Sequence, residues 1–431
     1  MARKDSSMSL SWEIDELENG LRVVTTPVAT AQSVSVNIFV GVGSRGEDRR
    51  RSGLSHYLEH MLFKGSEKRP SAMAIAEAVE GAGGILNAYT GKEFTCYWNQ
   101  VPYDRLDLAM DVLADMAARP LLDATELDRE RTVVQQEIKR TYDQPSAWTS
   151  ELLSRAFYGD QPIGWSIAGN EETVGALQRQ DFVEHVQTWY VPNNMVLSVA
   201  GNTDHEQVME AARRYLGSSE KGAVPAFEPA RLEVPPERVL VEKREIAQSN
   251  LALGLRALSR TDPDRYALFI LNSVLGRGMS SRLFKEVRER RGLAYAVGSG
   301  LSRHYDTGLL SISAGVSPEK LREAAQVIVE EVFKLSEEPV PEEEMTRARD
   351  YSVGTFRLSL ETTMALAQRA GENLLTTGEI EPIEEVVANL QAVTADDVMR
   401  VARRLFRRDG VSAAAVGPGA SQEEMSALLA A

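Results

Sequence analysis

Ser33-Val34-Ser35-Val36-Asn37-Ile38-Phe39-Val40 alternates polar and apolar residues through Ile38. A period of two predicts a β-strand. Downstream, the pattern predicts a helix bearing His56, a helix over Ala74–Val79, and paired strands over Ile85–Tyr89 and Phe94–Gln100. Long helices follow at about Tyr103–Ala117 and Ala124–Tyr142. The same order returns later in the chain. Asn250–Leu255 reads as a strand, Pro263–Leu275 and Ser281–Arg290 as helices, Ala294–Ser302 and Gly308–Ala314 as strands, and Glu319–Leu335 and Glu342–Leu360 as helices. Just after each strand pair, Asp104-Arg105-Leu106-Asp107-Leu108-Ala109-Met110 echoes Glu319-Lys320-Leu321-Arg322-Glu323-Ala324-Ala325. Strands in hairpins with segregated helices predict an α+β fold rather than a parallel βαβ sheet.

The repeat predicts two homologous domains, each an antiparallel-rich sheet packed with helices. A length of 431 residues agrees, since a domain averages about 100–200 residues. Residues 218–238 hold Pro225, Pro229, Pro235 and Pro236 and little apolar periodicity, so they read as a linker. The expected division is 1–217, linker 218–238, and 239–431.

Composition narrows the function. The chain is 43% hydrophobic and 26% charged, as ordinary globular proteins are. The net charge of −15 lacks the basic footprint of a nucleic-acid binder. No apolar run reaches the ~18 residues a membrane span needs. Met1-Ala2-Arg3-Lys4-Asp5-Ser6-Ser7 resembles neither a secretory signal nor a transit peptide, so a cytoplasmic location is expected. The single cysteine, Cys96, forms no internal disulfide and reads as a buried strand residue.

The chemistry lies in His56-Tyr57-Leu58-Glu59-His60. Residues four apart on a helix share a face, so His56 and His60 project together. Two imidazoles suit Zn²⁺. Glu59 shares that face, and a carboxylate beside a zinc-bound water serves as general base. The chain has five histidines, and two of them stand at ligand spacing. On a helical wheel of Ala124–Tyr142, Leu127, Val133, Val134 and Ile138 form an apolar face. Glu130 and Glu137 fall within it. Buried carboxylates need partners: a metal and a ligating histidine, or arginines such as Arg131.

His-x-x-Glu-His is the inverzincin signature, and the chain resembles the pitrilysin/insulinase metallopeptidases. Within them it is most similar to bacterial homologues of the mitochondrial processing peptidase. The resemblance runs through Gly53–Gly65, Gly83–Thr90, Glu130 and Glu137, Gly278–Phe284, and Arg288 to Tyr295. It implies one Zn²⁺ per chain on His56, His60 and Glu137, with Glu59 as general base and Glu130 orienting a ligand histidine. Asn87 and Ala88 would lie on an edge strand that a peptide extends. Read without the family, Asn87 is as well explained as a turn residue. Arg288 and Tyr295 would grip the substrate carbonyl. The residues alone suggest a solvated helix face and strand core for that pair.

The resemblance further implies an endopeptidase that cleaves unfolded oligopeptides in an enclosed chamber. It implies a homodimer in which Arg288 and Tyr295 of one protomer complete the metal site of the other. The alternatives are a partner-dependent presequence-processing subunit and a non-catalytic scaffold like the respiratory-complex core proteins.

Overall fold

The computed structural model describes residues 11–419 and 421–430. The reading of Met1–Ser7 falls outside them. The chain packs as two compact units. One comprises Met1–Gln135, Ile167–Phe227 and Leu358–Ile383; the other comprises Gln136–Ser166, Glu228–Arg357 and Glu384–Ala431.

The first unit is built on a six-stranded mixed sheet. Its strands are β1 (Glu13–Glu16), β2 (Arg22–Pro27), β3 (Ser33–Val40), β4 (Ile85–Thr90), β5 (Thr95–Pro102) and β6 (Met195–Gly201). They lie in the order β1-β2-β6-β3-β5-β4. Only β2 and β6 run parallel; the other neighbours are antiparallel.

The second unit holds β7 (Val239–Glu242), β8 (Ser249–Ala257), β9 (Ala294–Arg303), β10 (Gly308–Val316) and β11 (Ser412–Val416), in the order β7-β11-β8-β10-β9. Here β7 and β11 are the parallel pair, and the other neighbours are antiparallel. The α+β reading holds, and so does the repeat.

The alternation in β3 suggests a half-buried strand, yet Val34–Val40 is buried on both faces. A helix from far along the chain, Thr363–Thr377, covers the polar face. Ser33 Oγ and Thr363 Oγ1 lie 3.1 Å apart, and Ser198 donates to the Ala367 carbonyl at 2.7 Å. Gly371 permits the close approach, because a Cβ there would sit 2.3 Å from the Phe39 ring.

The second sheet is covered in the same manner by the helix Pro145–Tyr158. Leu152 and Leu153 pack with Ala252, Ala414 and Val416, and Ser412 donates to the Ala156 carbonyl at 3.3 Å. Each unit therefore takes its covering helix from the other half of the sequence. For that reason the compact units interleave along the chain, where the sequence suggested one division at 218–238. That stretch itself has no helix or strand.

Predicted elements fall within a few residues of those found. The helix expected over Ser281–Arg290 is a π-helix at Phe284–Arg290. Strands β6 and β11 carry no alternation. Both are wholly buried, and β11 is mostly alanine, so neither periodicity nor β-propensity marks them. Cys96 is buried in β5, as expected. Among the described residues, no helix is long and apolar enough to cross a membrane.

Candidate metal centre

The motif helix spans Leu54–Leu62. Leu54, Tyr57, Leu58, Met61 and Leu62 are buried and anchor it, while His56, Glu59 and His60 are its half-buried positions. The start of this helix is fixed from outside. Gly53 adopts φ 98°, a left-handed conformation that favours glycine, and a Cβ there would meet the Ala168 carbonyl at 2.7 Å. The buried carboxylate of Glu47 accepts from the Gly53 and Ser55 N–H groups at 2.8 and 2.6 Å. It thus satisfies donors that every helix N-terminus leaves open.

The second contributor is the carboxylate helix, Ala124–Asp143. Asp123 caps it, accepting from the Thr125 and Glu126 N–H groups. The Tyr57 hydroxyl donates to the Leu127 carbonyl, tying the two helices together. Leu127, Glu130 and Val134 are buried. Val133 is 39% exposed, so the apolar face is narrower than the wheel suggested. Arg131 is not the partner of the buried carboxylates. Its guanidinium donates to the Val174 and Leu177 carbonyls and lies over the Tyr57 ring.

These helices bring His56, His60 and Glu137 together, with one donor atom of each within 4.8 Å of the others. Two imidazoles and a carboxylate are a donor set that suits a divalent metal such as zinc, and these three residues would hold it. The imidazole rings stand 4.8 Å apart at 68°. Burial, and then the neighbouring His60, lower the His56 pKa to about 4, so near neutrality this ring offers the lone pair a metal needs. Glu130 accepts from His60 Nδ1 at 2.9 Å. Burial pushes the Glu130 carboxyl up, but the bonds from His60 and Lys64 outweigh it and hold its pKa below the usual range. With Nδ1 turned to Glu130, His60 would meet a metal through Nε2.

The family profile for Insulinase (Peptidase family M16) matches residues 22–171, and that for the Peptidase M16 inactive domain matches 176–351. A relative in Bacillus subtilis, named an uncharacterized zinc protease, is 37% identical over 91% of this chain and 95% of its own. Another in Mycobacterium tuberculosis, similarly named, is 35% identical over 98% and 96%.

The chain belongs to the M16 peptidase family.

Solved structures show the same fold. A protease from Helicobacter pylori superposes with a TM-score of 0.87 at 23% identity, covering 95% of this chain and 100% of that one. A chain of complex III2 from Candida albicans reaches 0.84 at 18%, covering 97% and 99%. One of these neighbours is a protease and the other a chain of complex III2, so the fold alone does not name an activity.

In this M16 chain, β4 is an edge strand of its sheet. Asn87 is exposed on it, Ala88 is half-buried beside it, and the Asn87 side chain accepts from the Ala88 N–H at 2.8 Å. Both are therefore strand residues, not turn residues. Thr90 closes the strand and donates to Glu59 Oε2 at 2.5 Å. In the second unit, Arg288 on the π-helix lies over the Tyr295 ring at 5.4 Å. Tyr295 sits on the edge strand β9 with 77% exposure, so it is not strand core.

Sequence reasoning missed Glu47, Thr90 and Lys64 as parts of the centre. Lys64 alone left a signal. It stands four residues after His60, the spacing that would put it on the same face if the helix ran on.

Proposed function

We propose that this protein is a zinc-dependent endopeptidase that cleaves unfolded oligopeptides in an enclosed chamber. The convergence of His56, His60 and Glu137 beside Glu59 carries the reading. Bound there, zinc would polarise the scissile carbonyl and acidify the attacking water.

Glu59 takes the proton from that water and passes it to the leaving nitrogen. Thr90 holds one Glu59 oxygen in place. The peptide extends the sheet along β4 past Asn87 and Ala88, and its backbone supplies most of the affinity. Because Thr90 ends β4 and touches Glu59, a peptide paired along that edge is led toward the base. Arg288 and Tyr295 stabilise the oxyanion, supplied by the partner subunit of a homodimer. A complete donor set with a base beside it favours catalysis over a scaffold.

The test is the purified chain with a quenched fluorescent peptide, zinc being measured by mass spectrometry. Glu59→Gln should lower hydrolysis by about 10²–10⁴-fold while zinc stays bound. A Glu59→Gln protein that cuts at the parent rate would remove Glu59 from the chemistry, and a parent chain without zinc would remove the metal.

A further inference from the structure

Glu130 is 6% exposed, and each of its oxygens is engaged. Oε1 accepts from His60 Nδ1 at 2.9 Å, and Oε2 lies 2.5 Å from Lys64 Nζ. Lys64 stands just past the end of the motif helix, where its N–H donates to the Met61 carbonyl at 3.0 Å. A cation is favoured there, because the carbonyl end of a helix carries partial negative charge. Four residues from His60 and just beyond the helix, Lys64 meets the same carboxylate.

Charge gives the arrangement its purpose. Glu130 is a buried carboxylate, and the Lys64 ammonium is the cation set against it. Without Lys64, Glu130 would lose the ion-pair partner of Oε2, and a buried carboxylate short of a cation is a costly state. Glu130 would then be free to turn toward water, which releases the His60 ring, and the nitrogen it presents to the metal is no longer fixed.

We propose that Lys64 is a positioning residue for the metal. It pins Glu130 against His60 and so sets zinc affinity without touching the ion. The inference rests on the zinc reading above, and its test separates the two. Zinc affinity is measured by competition with a chromophoric chelator for the parent, Lys64→Met, Lys64→Arg, Glu130→Gln and the Lys64→Met/Glu130→Gln double variant.

Lys64→Met should weaken zinc binding by about 10- to 100-fold, the usual loss when a partner of a ligand is removed. Lys64→Arg should recover most of it. In the Glu130→Gln background Lys64→Met should have almost no further effect, because the two act through one contact. A general loss of structure would be neither rescued by arginine nor silenced by Glu130→Gln. If Lys64→Met does not fold, Lys64→Gln in both backgrounds provides the same cycle. Lysine variants that bind zinc as the parent does, or losses that simply add in the double variant, would overturn the proposal. A parent chain that binds no zinc would instead overturn the metal reading.

Discussion

The two sheets share one plan. β2 runs parallel to β6 as β7 does to β11, and in each unit three further antiparallel pairings lead to an edge strand, β4 or β9. What hangs on the plan differs. Between β3 and β4 the first unit places Leu54–Leu62, with His56, Glu59 and His60 half-buried. Between β8 and β9 the second places Arg265–Gly276, buried almost throughout, and then the π-helix with Arg288. The long helices differ in the same sense. Buried residues three apart are Leu127 and Glu130 in one, Met345 and Ala348 in the other. The first frame carries two histidines and a glutamate half-buried on its motif helix; the second carries a mostly buried helix there and sets an arginine and a tyrosine at the edge. Site chemistry and fold thus vary independently within a single chain.

The largest expected effect probes that division of labour. Arg288→Ala should lower kcat by about 10²–10³-fold, the usual loss for an oxyanion donor, with zinc content unchanged. Alone, Glu59→Gln and Arg288→Ala chains should both be nearly inactive. Co-expressed, they should regain activity if the proposed dimer forms, because one of its two sites would then have both residues intact. No recovery would place Arg288 in the same chain as the site it serves, and unchanged kcat would leave the second unit out of the chemistry.

Acid should separate the units next. Burial, and then Arg51, lower the His185 pKa from 6.5 to about 3. The fold refuses a proton that the unfolded chain accepts. This contribution is therefore complete above about 6.5 and drains as pH falls toward 3. Glu47 acts in reverse. Burial raises its pKa from 4.5 to about 8, so its contribution is complete below about 4.5 and is lost as pH rises through 8. Below about 4.5 Glu47 has no more to add while His185 still costs stability. Hydrogen exchange near pH 4 should show β3, β5 and β6 losing protection before β8, β10 and β11. Simultaneous loss in both sheets would contradict the assignment.

The smallest effects concern two glycines. Gly53→Ala forces a side chain into left-handed backbone against a carbonyl and should cost about 1–3 kcal/mol. Gly354 lies inside the helix Glu342–Leu358 with open space around it, and Gly354→Ala should add about 0.4–1 kcal/mol. Thermal unfolding measures both, and equal shifts would refute the contrast.

The legible part of the site was the local part. Helical spacing brings His56, Glu59 and His60 to one face using residues within a single helix. Glu130 announced itself as a charge in an apolar stripe, and Glu137 fell on the same wheel. Val133 misled because it is apolar yet exposed. Thr90 and Glu47 gave no sign, since each acts on the motif helix from another element. The fold shows the same limit. Periodicity located β3 but not the helix covering its second face, because Ser33 and Thr363 meet only through tertiary structure.

That traded helix bears on ancestry and on cutting the chain. If a single half was once duplicated, an original packed as the halves are now would not have sealed its own sheet with its own covering helix. It would have lent that helix to a second copy and borrowed one back, a swapped pair later fused by the stretch 218–238. A fragment ending there today would still carry Pro145–Tyr158 without the second sheet that this helix now covers. It would leave Phe39 facing water where Gly371 now sits.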